Sequence, residues 1–303
     1  MSSTVPILVG VLSAAGRPTL NTMTSIDTPK LSIRSIADLI AVVPYLLGFH
    51  PSQSIVVVAF RDKRLVFIAR ADLPSAGTSP EPLLTTADHL TSVVVRQQVD
   101  AATVLGYGPA DTVTPAVAAT AAALDTAGLP VVDAIRVHEG RYWSYTCDNP
   151  RCCPMEGTPY DPTTTAIAAA ATYAGHVALP DRAALARRVA PVEGPAREAM
   201  RRATEQANRR LATLLGDASS GRADQALLQA GRAAVRAAFE RHRTGGHLTD
   251  DEVAWLSVLL AHVPVRDHAC ELIGQEDWQV PLWTDVLRRV EPHLAAAPAR
   301  LLA

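Results

Sequence analysis

Residues 54–60 read SIVVVAF, an unbroken apolar run centred on three β-branched valines. Such a run fits a strand buried on both faces, so something must cover each side of the sheet that holds it. A polar tetrapeptide, RDKR, follows, and then LVFIARADL returns as a second strand, which gives a β-hairpin. AATVLGYG is a third buried strand, and LPVVDAIRVHEGRYWSYTC reads as two more around a turn at Glu139-Gly140.

Helical segments alternate with these strands. SIADLIAVVPYLLGF places Ile36, Leu39, Ile40, Val43 and Leu46 near helical spacing, with Ser35 as N-cap. Pro44 predicts a kink or a two-part helix. A second helix surrounds LLTTADHLTSVVVRQ, and a third, PADTVTPAVAATAAALDTAG, ends at Gly128 in a C-cap position. The order helix, hairpin, helix, strand, helix, hairpin predicts a three-layer α/β domain over residues 31–160, with a mixed sheet of about five strands. Residues 1–30 are rich in Ser, Thr and Pro and predict little order.

Beyond PYDPTTT the strand signals stop. Segments 163–178, 181–189, 193–215, 222–243, 249–260 and 265–273 favour helix, so residues 161–303 read as an all-α domain. Thr249 caps one helix, with Asp250, Asp251 and Glu252 at the positive end of its dipole. APARLLA ends the sequence in mid-pattern.

Composition narrows the class. With 48% hydrophobic and 19% charged residues, 303 residues can build about two domain cores. A net charge of −2 gives no global case for nucleic acid or an anionic membrane as partner. No apolar run reaches the roughly 20 residues a bilayer span requires. VPILVGVLSAAG, residues 5–16, lacks the preceding basic charge of a signal peptide. The expected compartment is therefore the reducing cytoplasm, with Cys147, Cys152, Cys153 and Cys270 as thiols or metal ligands.

The segment SYTCDNPRCCPMEG, residues 144–157, holds three of the four cysteines. Cys147 and Cys152 have a metal-compatible spacing, whereas adjacent Cys152 and Cys153 point apart in most backbones. His138, across the hairpin, is a candidate third ligand for zinc, with Cys270 or a C-terminal His a fourth. A disulfide from Cys147 to Cys152 or Cys153 is a second reading, and a nucleophilic cysteine a third. The plainest is a stiff turn dictated by Asp148, Pro150, Pro154 and Gly157, serving as the joint between the two halves.

Ligands of α/β sheets gather at the carboxyl ends of strands. Arg70, Asp72, Tyr107 and Asp111 lie at or just beyond such ends and are candidate ligand-binding residues. Arg141, beside the aromatics of GRYWSY, can stack on a ring or grip a carboxylate. His50 sits in a loop feeding the amino end of the first strand, which argues for a capping group rather than a catalyst. Eight arginines against four acids over residues 181–210 read as a solvated helix face. G-x-G-x-x-G, G-x4-G-K-[ST], G-x-S-x-G and H-E-x-x-H are all absent.

VPYLLGFHPSQSIVVVAF, ARADLP, GRYWSYTCDNPRCCPMEGTP and VPVRDHA together resemble an actinobacterial family, domain of unknown function 4192. The resemblance runs from about residue 31 to the end and excludes the first 30 residues. The family's helices are expected to continue beyond the last residue. It implies a similar fold in an actinobacterial intracellular protein and carries over no catalytic residue. Two functions follow as expectations. One is a non-catalytic regulatory or scaffold protein that binds a small ligand or, through the helical half, a protein partner. The alternative is an enzyme with Cys147, Asp148 and Arg141 as candidates, or a zinc- or redox-responsive protein, using the Cys147-x4-Cys152-Cys153 loop near the sheet edge.

Overall fold

The computed structural model of the chain describes residues 8–11, 33–74, 80–173, 175–217, 222–274 and 276–302. It divides into two compact units, Met1–Leu185 and Ala186–Ala303.

The first unit is an α/β fold. Strand β1 (Leu8–Val11) precedes helix α1 (Ile36–Leu47), the hairpin β2 (Ser54–Arg61) and β3 (Arg64–Asp72), helix α2 (Pro80–Val95) and strand β4 (Ala101–Tyr107). Helix α3 (Ala110–Thr126), β5 (Val131–His138), β6 (Arg141–Ser144), β7 (Thr158–Pro159) and α4 (Ala166–Tyr173) complete it. The sheet order is β1-β3-β2-β4-β5-β6-β7, with β4 and β5 parallel and every other pair antiparallel. Seven strands rather than about five arise because each edge gains a short strand. One of them, Leu8–Val11, pairs with β3 inside the leader predicted to lack order; the rest of residues 1–30 lies outside the described residues.

The valine run does what its pattern requires. Ile55, Val57 and Ala59 face a core shared with α2 and α3, while Val56 and Val58 face the α1 side. Gly106 of β4 has a packing reason: a Cβ there would lie 2.2 Å from Val113 Cγ1 of α3, so only glycine admits this helix so close. Ser35 caps α1 by accepting from the Asp38 amide at 3.1 Å. The helix runs unbroken through Pro44, which lies near its C-terminal end. Helix α4, placed by composition in the helical half, buries Ile167 against Ala41 and Val42 of α1. The first unit thus extends past the composition shift at residue 160.

The second unit is all helical: α6 (Gly194–Asp217), α7 (Ala223–Arg243), α8 (Asp250–Leu260), α9 (Val263–Glu271), α10 (Gln279–Arg289) and α11 (Ala296–Leu302), with α5 (Arg182–Arg188) spanning the division. Trp283 and Val235 lie in its core, and Phe239 packs edge-on against Trp278 and Trp283. Thr249 and Glu252 form a complete capping box at the start of α8. Arg289 ties α10 to that same turn through Asp250 Oδ1 at 2.8 Å and the Leu248 carbonyl at 2.8 Å. On the arginine-rich α6, Arg201 pairs with Glu198 and Glu205, Arg202 with Glu198 and Arg197 with Glu291, while Arg210 lies over the Trp255 ring. Among the described residues no helix is long and apolar enough to cross a membrane.

Candidate functional site

The cysteine loop leaves the sheet at β6 and returns to it. β7 pairs with β6 through Tyr142↔Thr158 and Arg141↔Pro159, so residues 145–157 form an excursion anchored at both ends on one strand. The expectation of a joint between the two halves is therefore corrected: the chain re-enters the same sheet and continues through α4 before the first unit ends.

Three polar clamps shape the excursion. At its base, Asp133 Oδ1 accepts from Ser144 Oγ at 2.7 Å and Thr146 Oγ1 at 2.6 Å. Asn149 makes the turn: its carbonyl accepts from the Cys153 amide at 2.8 Å and its Oδ1 from the Arg151 amide at 3.0 Å. At the far end the Trp143 indole donates to the Met155 carbonyl at 3.0 Å, and Arg141 donates to the Gly157 carbonyl at 2.8 Å. Arg141 is thus a loop clamp rather than the stacking or carboxylate-gripping group expected. The guanidinium over an aromatic ring belongs to Arg136, 3.5 Å from the Trp143 centroid.

The clamps gather the thiols. The Sγ atoms of Cys147, Cys152 and Cys153 all lie within 4.8 Å of one another, and Cys147 to Cys152 is 3.3 Å. The expectation that the adjacent pair diverges fails here because the Asn149 turn folds both residues back towards Cys147. The hydrogen bond with Cys153, aided by the Asn149 backbone and Cys152, lowers the Cys147 thiol below its usual range. The same contact with Cys147, together with some desolvation, pushes Cys153 up to about 12. His138 does not join them; its ring faces Glu139 at 3.6 Å. Cys270 sits in α9 of the second unit, packed against that unit's core. Beside the thiols lies a cavity of about 230 Å³, walled by Cys153, Arg136, Trp143, Tyr145 and Thr114 among others.

A second polar region occupies the carboxyl edge. Strands β3, β4 and β5 end together there, and β2, antiparallel to its neighbours, begins there. The loop carrying His50 therefore belongs to the carboxyl edge, contrary to the expectation drawn from its place before a strand. The register sets Ser54 opposite both Asp72 and Tyr107, and Arg70 opposite Val56. Ser54, Arg70 and Tyr107 are buried, and Ser54 Oγ, Tyr107 OH and two Arg70 nitrogens have no hydrogen-bond partner among the described residues. Arg70 pairs with Asp72 at 2.5 Å, and Asp72 also meets Arg182 at 3.3 Å. Burial raises the Tyr107 phenol well above its usual pKa, which keeps it a donor. Tyr107 lines a cavity of about 270 Å³ with Gln53, His138 and Tyr160. Unpartnered buried polar groups of this kind need water or a ligand. Asp111 stands apart, its carboxylate turned to the Thr112 amide at 2.9 Å.

A further cavity, about 510 Å³, opens at the opposite edge between Ile36, Leu39, Phe60, Val132 and Ile135 and is bordered by Ile33, where the described segment begins. Its wall holds none of the unpartnered buried polar groups.

The sequence profile of the family described as Domain of unknown function (DUF4192) matches residues 37–303. The chain belongs to that family. The match covers α1 and everything after it, including the thiol loop and the carboxyl edge. No curated protein and no solved structure matches the chain.

Of the candidates named from the sequence, the structure gathers the three cysteines in one loop and sets Arg70, Asp72 and Tyr107 together at the carboxyl edge. The sequence alone did not single out Arg136, Ser54 and Asp133, whose roles depend on strand register. Arg136 lies one strand away from the aromatics of GRYWSY, and only its pairing opposite Trp143 brings the two together.

Proposed function

We propose that the protein is a non-catalytic regulatory protein whose responsive element is the three-thiol loop, and that the loop binds a soft divalent metal ion, zinc being the best match. The observation that carries this reading is the mutual approach of three sulfurs within 4.8 Å on a loop clamped at both ends. A tetrahedral zinc with bonds of about 2.3 Å separates its sulfurs by about 3.8 Å, within the range these three thiols span. Among the described residues the sulfurs' hydrogen-bond partners are one another and Asn149, with no general base matched to a nucleophile, which favours binding over turnover. Thiols kept available for metal call for a reducing compartment, which we take to be the cytoplasm.

A second reading rests on the 3.3 Å approach of Cys147 and Cys152, which a small closure converts into a disulfide. One experiment separates the two. Protein purified under reducing conditions is loaded with zinc, desalted and measured for bound metal and free thiols. The metal reading expects one zinc per chain, lost in Cys147→Ser, Cys152→Ser and Cys153→Ser. Absence of retained zinc, with two thiols lost on mild oxidation, contradicts it in favour of the disulfide.

A further inference from the structure

We propose that the cavity beside the thiols admits a small organic anion, which supplies the fourth donor atom to the bound metal and rests its carboxylate against Arg136. This rests on the metal reading above and names the ligand that completes it. The protein offers three sulfurs, whereas zinc is four-coordinate, so one position is open to an outside ligand. Cys153 belongs both to the thiol cluster and to the wall of the 230 Å³ cavity, so a molecule held in the cavity lies next to the cluster.

The wall determines the charge of the ligand. Among the described residues of that wall Arg136 alone is charged, alongside Thr114, Trp143, Ser144, Tyr145 and Met155. The nearby hydroxyls are committed elsewhere: Tyr145 OH to Thr114 at 2.6 Å and Ser144 Oγ to Asp133 at 2.7 Å. Trp143 covers one flat face of the guanidinium at 3.5 Å, and stacking of that kind leaves the N–H edge free for in-plane bonds to a carboxylate. A cavity of this size takes a molecule of a few heavy atoms, such as a thiol acid. On binding, its sulfur displaces water from the metal and its thiol proton passes to buffer.

The test uses the full chain loaded with cobalt(II), whose visible bands report coordination by thiolate, titrated with mercaptoacetate and with mercaptoethanol. The two differ in the carboxylate. Mercaptoacetate is expected to saturate the spectral change at about tenfold lower concentration, the effect of one charge-assisted hydrogen bond. Arg136→Gln, which keeps an alkyl stem over the indole, is expected to retain cobalt and its bands while losing that preference. Equal affinity for the two thiols in the native chain, or a preference that survives in Arg136→Gln, overturns the proposal. Absence of cobalt–thiolate bands before any thiol is added overturns the metal reading itself, and this proposal with it.

Discussion

Gly157 lies directly against the Trp143 indole: a Cβ built on it would stand 2.4 Å from the ring, and its φ of +82° is one that side-chain-bearing residues rarely adopt. The two residues close the thiol loop onto the sheet, the glycine giving the ring its place and the ring donating to Met155. Gly157→Ala therefore has to displace the indole and strain the backbone together. A loss of about 2–3 kcal/mol from the first unit is expected, combining overpacking with left-handed strain. Chemical denaturation checks this, as does the emission of Trp143, the first unit's only tryptophan, in a variant with the other three replaced by Phe.

The Arg70–Asp72 pair behaves asymmetrically. Arg70 is buried and Asp72 half-exposed, so Asp72→Asn leaves an uncompensated guanidinium inside the unit. Arg70→Met instead removes the buried charge and keeps the stem. Asp72→Asn is expected to cost about 2 kcal/mol and Arg70→Met clearly less, a ranking that urea melts of the two variants test.

Tyr107→Phe removes a buried hydroxyl with no partner among the described residues. Its loss is expected to change stability by less than about 0.5 kcal/mol, because no intramolecular bond goes with it. A clear gain in stability by calorimetry, the relief of an unsatisfied buried group, contradicts the idea that water or a ligand serves that hydroxyl.

His242, in the second unit, has its pKa lowered chiefly by burial, with His247 and Arg289 adding to the shift and Asp285 opposing it. In the unfolded chain the imidazole titrates near 6.5. As pH falls below that value the unfolded state takes up the proton first, so the second unit loses stability until the depressed folded pKa is reached. Above pH 6.5 this dependence vanishes. Melting temperatures across the mildly acidic range should show the decline in the native chain and a shallower one in His242→Gln.

The capping box at α8 supplies a simpler case. Thr249 accepts from the Glu252 amide at 3.3 Å, and Glu252 accepts from the Thr249 amide at 2.8 Å. Thr249→Ala is expected to cost about 1 kcal/mol by denaturant titration.

What the sequence disclosed and what it hid follow from the range of the interactions. Ser35 and Thr249 act within three residues, so their caps were legible without a structure. The two-faced burial of SIVVVAF was equally plain, since every residue of the run is apolar or small. β7 was invisible because two residues, one of them proline, carry no period. Helix α10 carries Pro281 in its first turn, where a proline is tolerated, and none of the segments read as helical from the sequence covers it. The site was half legible. Its residue types stood out, but the meeting of Arg136 with Trp143 depends on strand pairing. The place of the His50 loop at the carboxyl edge depends on β2 running antiparallel to β4, and the convergence of Cys152 and Cys153 depends on the Asn149 turn.

The three-thiolate site is tested most directly by zinc K-edge X-ray absorption of the loaded, reduced protein. Three sulfur neighbours at about 2.3 Å and one lighter atom are expected, with a sulfur lost in each single Cys→Ser variant that still holds metal. A first shell of nitrogen and oxygen alone, unchanged by those substitutions, contradicts the site.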